Sequence, residues 1–164
     1  MNTQHSKGFT LVELMIVIAI TSIVLSIGIP EMQVFIKNDR LVSTSNSLLG
    51  DLMLARSKAV EQNLPTILCS TNNQTSCTDG NLEDGWLVGI DEDESGSIET
   101  GETLIKIAQA VGSDIQITSS FGSLINYDSR GFTPDTIGTL TIQDGRGSEY
   151  AKSLTINRTG RVSR

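Results

Sequence analysis

The sequence predicts an α+β chain: one very long N-terminal helix, with antiparallel β-sheets packed on its second half. Three observations carry this. Residues 9–30 form an apolar run of about 20 residues, long enough to cross a bilayer as a helix. A 3/4-spaced apolar stripe then continues to about Asn63, as one face of a helix requires. Beyond Pro65 the text changes to short alternating or β-branched runs broken by Gly, Asn, Asp and Ser, which is strand chemistry.

The apolar run, "FTLVELMIVIAITSIVLSIGIP", carries one carboxylate, Glu13, and ends at Pro30. Lipid penalises such a charge by about 2.5–3.5 kcal/mol at a helix centre, so its presence needs a reason. From 31 to 63 the stripe is Leu41, Leu48, Leu52, Ala55 and Ala59, with Ser45 filling one gap. Asp39, Arg40, Asp51, Arg56, Lys58 and Glu61 are placed mostly off it. Pro65 disfavours helix at Leu64, so the helix is expected to stop near Asn63. From Phe9 that is roughly 80 Å of helix at 1.5 Å per residue. No domain of this size buries such a length, and the first half must lie in lipid or among other helices. Residues 64–164 form the β-rich domain, with strands expected at "TILCS", "GWLVGI", "TLIKIA", "DIQIT", "SLINY", "GTLTIQ" and "SLTIN".

The net charge of −7 argues against general affinity for nucleic acid or anionic lipid. The charge is uneven, however: 79–102 holds nine acids and no base, whereas 141–164 holds five bases against two acids. A basic site can therefore sit on an acidic protein. The only histidine is His5. A chain that loses it in processing has no His for a triad, a general base or an ordinary zinc site, which argues against an enzyme. The two cysteines, Cys69 and Cys77, read in an exported protein as a disulfide closing a short loop, worth roughly 2.5 kcal/mol in the chain-entropy account. Free thiols in a cytosolic protein are the alternative.

Lys7 and Gly8 stand directly before the apolar run, and no A-x-A-like site follows it, unlike an ordinary secretory signal. A plain single-pass anchor with Lys7 on the cytoplasmic side would satisfy the composition. The string "KGFTLVELMIVIAI" says more. It resembles the class III signal of type IV pilins and pseudopilins, in which a prepilin peptidase cuts after the glycine and methylates the new N-terminus. The resemblance implies that 1–8 is a cleaved leader ending at Gly8 and that Phe9 is the methylated first residue. It also implies that Glu13 is the family's glutamate and Pro30 the proline that kinks the pilin helix. Physically, Glu13 sits one turn from the new α-amino group, where a neighbouring chain's ammonium could pair with it in low dielectric. Placement at headgroup level before assembly is the blander reading, and both can hold in turn.

"LARSKAVEQN" before a strand, then Cys, a polar loop, Cys and "DGWLVGIDEDESGSIETGETLI" is similar to minor pilins of the FimT/FimU/GspH type. The resemblance implies a type IV pilin fold with two sheets on the helix. It implies a place in small numbers at the tip or priming complex of a type IV pilus or a type II secretion pseudopilus. The partners it implies are other major and minor pilins and the prepilin peptidase. The location would be the inner membrane before assembly, then a pilus at the cell surface or periplasm of a Gram-negative bacterium.

Two stretches could hold a ligand. In "DEDESGSIETGE", Asp91, Asp93, Ser95, Gly96, Ser97 and Glu102 match the spacing of an EF-hand calcium loop. The flanks read as strands and Ser95 replaces an acid or amide, which favours a solvated acidic hairpin loop; Ca2+ is the alternative, and no other cofactor is expected. In the tail "LTINRTGRVSR", Arg158, Arg161 and Arg164 recur every third residue, with Lys152 and Arg146 upstream. Arginine forks grip phosphates, and a flexible tail could follow a DNA backbone without reading sequence. FimT-like minor pilins of competent bacteria bind DNA through a C-terminal Gly-Arg-x-Arg-type motif. Gly160 and Arg161 match it, with the next arginine one position late. The resemblance thus implies DNA capture for natural transformation. Against it stand a purely structural pilus subunit, or a GspH-type pseudopilin whose arginines pair with an acidic neighbour.

Overall fold

The computed structural model describes residues 8–134 and 137–164. Of the expected leader, residues 1–8, all but Gly8 lie outside the described residues, His5 and Lys7 included. The chain divides into two compact units, Met1–Asn38 and Asp39–Arg164, and helix α1, Leu11–Gln62, supplies residues to both.

In the first unit α1 begins two residues later than expected, because Thr10 is a cap rather than a helical residue. Its Oγ1 accepts the Glu13 N–H at 3.2 Å, which satisfies a donor that the first helical turn leaves orphaned. Glu13 lies in that first turn, where the positive end of the helix dipole favours a carboxylate. Thr21 and Ser22 donate their hydroxyls to the carbonyls of Val17 and Ile18, both at 2.7 Å, and Ser26 donates to Ile23 at 2.8 Å. These three hydroxyls are thereby satisfied within the helix, as lipid demands. Every described residue from Gly8 to Asn38 is exposed. The helix continues through Pro30, which contributes no N–H to the ladder.

The second unit holds the core. The α1 stripe residues Leu41, Leu48, Leu52, Ala55 and Ala59 are all buried, as is Ser45. The helix stops at Gln62 because Asn63 turns left-handed (φ 55°), as an Asn at a helix end tolerates, and Pro65 follows.

The strands are β1 Thr66–Ser70, β2 Gly85–Ile90, β3 Leu104–Gln109, β4 Ile115–Ser119, β5 Leu124–Tyr127, β6 Gly138–Asp144, β7 Lys152–Ile156 and β8 Val162–Ser163. They form two four-stranded sheets, β3-β2-β1-β5 and β4-β6-β7-β8, and every pairing is antiparallel. Both sheets contribute to one core with the α1 stripe, through Leu68, Trp86, Val88, Ile125 and Tyr127 from the first and Ile117, Leu140, Ile142, Leu154 and Ile156 from the second. The second sheet alternates buried and accessible positions along β6, as a sheet covered on one face does. In the first sheet β1 and β2 are buried on both faces. The outer face carries a second cluster of Ile67, Cys69, Leu87 and Ile98.

Two expectations change here. Asp51, placed off the stripe, is buried: its Oδ2 accepts the Trp86 indole N–H at 2.8 Å, and its Oδ1 pairs with Lys106. Helix and first sheet therefore share a polar tie as well as an apolar seam. The tail, expected to be flexible, is an ordered hairpin in which β8 pairs with Thr155 and Ile156 of β7.

Candidate functional site

The tail hairpin turns through Arg158, Thr159 and Gly160. The Gly160 N–H donates to the Asn157 carbonyl at 2.8 Å, and the Asn157 N–H donates to the Arg161 carbonyl at 3.0 Å. Asn157 Oδ1 accepts the Arg161 N–H and the Thr159 hydroxyl, at 2.9 and 2.7 Å. Gly160 adopts φ 72°, and a Cβ there would collide with the Gly131 carbonyl oxygen. Only glycine meets both conditions, which gives the glycine of the Gly-Arg pair a steric role.

Gly131 belongs to a neighbouring loop, Asp128 to Thr133, bonded directly to the hairpin. Thr133 donates its hydroxyl to the Asn157 carbonyl at 3.0 Å, and its N–H to the Arg158 carbonyl at 3.3 Å. Arg56 of α1 donates Nε–H to the Gly131 carbonyl at 3.1 Å. Asp128 organises the loop: Oδ1 accepts the N–H groups of Arg130 and Phe132, both at 2.9 Å, and Oδ2 accepts Arg130 Nε and Nη2 at 3.1 and 2.8 Å. Burial pushes the Asp128 carboxyl up, but the Phe132 N–H and the Arg130 guanidinium and N–H outweigh it and hold the group below the usual range.

The five basic residues expected to act together separate into two kinds. Arg158, Arg161, Arg164 and Lys152 are exposed, and none has an acid within ion-pair reach among the described residues. They face three recesses. Arg158 lines one with Arg130 and Phe132, Arg161 a second with Arg56 and Met53, and Arg164 a third with Lys152 and Asn46. Arg146 is different. Its side chain is only 16% exposed, pairs with the buried Asp144 at 2.7 Å and stacks on Tyr150 at 4.3 Å. The hydrogen bonds that Arg146 donates to the Asp144 carboxylate hold its pKa above the ordinary arginine value. Arg146 thus closes the β6–β7 turn and is not offered to a ligand. Arg130, which the sequence reading passed over, stands in the Arg158 recess. No spacing rule links the two, because they meet only through the fold.

Cys69 and Cys77 form a disulfide, with Cα atoms 5.6 Å apart. Ile98 of the acidic loop is held beside it: its carbonyl accepts the Cys77 N–H at 2.8 Å, and its side chain fills the space over Gly89. In that loop one oxygen each of Asp91, Asp93 and Glu102 lies within 4.8 Å of the others. Asp91 accepts the Ser95 and Gly96 N–H groups at 2.9 and 2.8 Å, and Asp93 accepts Ser95 at 3.0 Å. Glu102 accepts those of Glu92 and Glu99, both at 2.8 Å. The Ser95 hydroxyl donates to the Ser97 carbonyl at 3.3 Å. Burial pushes the Asp91 carboxyl up, partly offset by the Gly96 and Ser95 N–H groups.

At the other end Gly8 and Phe9 are exposed, and Glu13 is one turn into α1.

Residues 44–160 match the family "type II transport protein GspH", and residues 3–29 match the prokaryotic N-terminal methylation motif. No curated protein sequence matches the chain. Among solved structures, the type IV minor pilin FimU of Pseudomonas aeruginosa PAO1 is similar in two crystal forms. The P21 form has a TM-score of 0.64 at 18% identity, covering 79% of this chain and 90% of FimU. The P65 form has a TM-score of 0.59 at 18% identity, covering 75% and 90%. A long capped apolar helix behind a prepilin motif, two sheets on its second half and a family match over most of the chain lead to one conclusion: this chain belongs to the GspH family and is a minor pilin or pseudopilin of the FimT/FimU/GspH type.

Proposed function

We propose that this minor pilin is a subunit of a type IV pilus tip or priming complex that captures extracellular DNA, without sequence preference, for uptake in transformation. The observation that carries the reading is the tail hairpin. On a chain of net charge −7, it displays Arg158 at its turn, Arg161 just before β8 and Arg164 just after it, where Arg164 Nη2 donates to Asn46 Oδ1; all three are exposed and unpaired with any acid among the described residues. Lys152 lies beside Arg164. Guanidinium groups spaced along such a hairpin can each neutralise a backbone phosphate.

Assembly comes first. Prepilin peptidase cuts after Gly8, Phe9 becomes the methylated terminus, and the α-amino group of one chain pairs with Glu13 of another as the apolar helix passes from the inner membrane into the filament. An ion pair in that low-dielectric setting is far better than either charge alone. The subunit touches major and minor pilins through this helix.

A fluorescence-polarisation titration of residues 37–164, which hold every buried side chain among the described residues, tests the DNA reading. Three phosphate contacts predict a slope of log K against log salt of about −2.7. Replacing Arg158, Arg161 and Arg164 with Gln abolishes binding, whereas Arg146→Gln lowers the melting temperature and leaves binding unchanged. Unaltered binding in the triple variant, or none by the parent at low salt, defeats the reading.

A second reading draws on the family match, whose description is of type II transport. In a secretion pseudopilus the same arginines would pair with an acidic neighbouring subunit, and the parent would then bind no DNA.

A further inference from the structure

The recess between the tail hairpin and the Asp128–Thr133 loop differs from the other two arginine sites. Its volume is about 410 Å3, and it is lined by Asp128, Arg130, Phe132, Thr133, Pro134 and Arg158. Phe132 is a large aromatic ring left 43% exposed. The Arg130 guanidinium lies over that ring, 5.5 Å from its centroid, and is held there by two hydrogen bonds to Asp128. Asp128 also fixes the Phe132 backbone, and Thr133 ties the loop to the carbonyls of Asn157 and Arg158. The ring and Arg158 thus line one recess, with the loop and the hairpin that carry them tied together by hydrogen bonds.

The charges are divided in a way that fits a nucleotide. Arg130 is neutralised by Asp128 and presents a flat, uncharged-on-balance plate with the Phe132 ring. Arg158 beside them carries a charge that no acid compensates among the described residues. A planar apolar surface beside a lone cation accepts an unpaired base and its phosphate. Duplex DNA cannot use the ring, because its base faces are already stacked; a single strand can.

We propose that Phe132, framed by Arg130 and Arg158, stacks an unpaired base, so that this pilin holds single-stranded DNA more tightly than duplex. The inference rests on the arginine tail's being a DNA site and names the form of DNA that the site prefers.

Fluorescence anisotropy with full-length protein in detergent, on an oligothymidylate of about 20 nucleotides and on a duplex of the same length, reads both affinities. The parent is expected to bind the single strand at least several-fold more tightly. One stacked base corresponds to about five-fold or more in affinity, so Phe132→Ala should lose about that much on the single strand and nothing on the duplex. Phe132→Trp restores the preference; Phe132→Leu, which keeps apolar bulk without a π-face, does not. Melting curves confirm that each variant is folded. Equal affinity of the parent for both probes, or a Phe132→Ala loss shared equally by both, overturns the inference while leaving arginine-dependent duplex binding intact. Binding of neither probe by the parent overturns the arginine reading and this inference together.

Discussion

Asp51 shows how much one side chain decides. It sits three residues after Leu48 and four before Ala55, so helical spacing alone puts it on the buried stripe. Its charge pointed the other way, and the partners that make burial tolerable, Trp86 and Lys106, lie on strands far along the chain. Asp51→Ala leaves the indole N–H buried without an acceptor, a loss of about 1–3 kcal/mol. Asp51→Asn, which keeps an acceptor, costs less. Urea unfolding of residues 37–164 reads both, and a parental midpoint in the alanine variant would contradict the tie. Arg146 has the reverse history. It looked like a ligand in "DGRG", yet Asp144 two residues earlier captures it. Counting bases near the C-terminus could not distinguish a turn-closing arginine from one facing solvent.

At the scale of elements, the helix and seven strands were legible because periodicity and punctuation agreed. The 3/4 stripe of Leu41 to Ala59 and alternation such as Thr139 to Asp144 each report a covered face. Strand β8 escaped because two residues carry no period; its signals were Asn157 and Gly160, the turn residues before it. The acidic loop was legible as a loop, though not as a lid on the outer face of the first sheet. Ile98 does that work, pinned beside the disulfide. Backbone N–H groups already engage Asp91, Asp93 and Glu102, so the loop holds its shape by its own hydrogen bonds. Calcium at about 1 mM, the affinity range of weak extracellular sites, is therefore expected to leave the melting temperature of residues 37–164 unmoved. A rise that Asp91→Asn removes would make the loop a cation site.

For the whole molecule, the two units have opposite needs. Residues 39–164 bury their own apolar surface in two clusters. The first unit buries none of its described side chains, from Phe9 through Ile36. An apolar surface of that length is stable only against lipid or other chains, and exchange between the two is what filament assembly is. In the proposed assembly route Glu13 distinguishes this helix from a permanent anchor, since a carboxylate in lipid gains from leaving it for a cationic partner. Charge within the second unit is likewise segregated: nine acids lie in 79–102, and three arginines gather at the tail.

The most direct test is to express Glu13→Val in a piliated strain lacking the native gene, then quantify the chain in sheared pili and in membranes. Valine leaves the apolar helix intact and removes only the partner charge. The account predicts a protein processed to Phe9, held in the membrane and absent from sheared filaments. Incorporation of Glu13→Val at the parental level would contradict it.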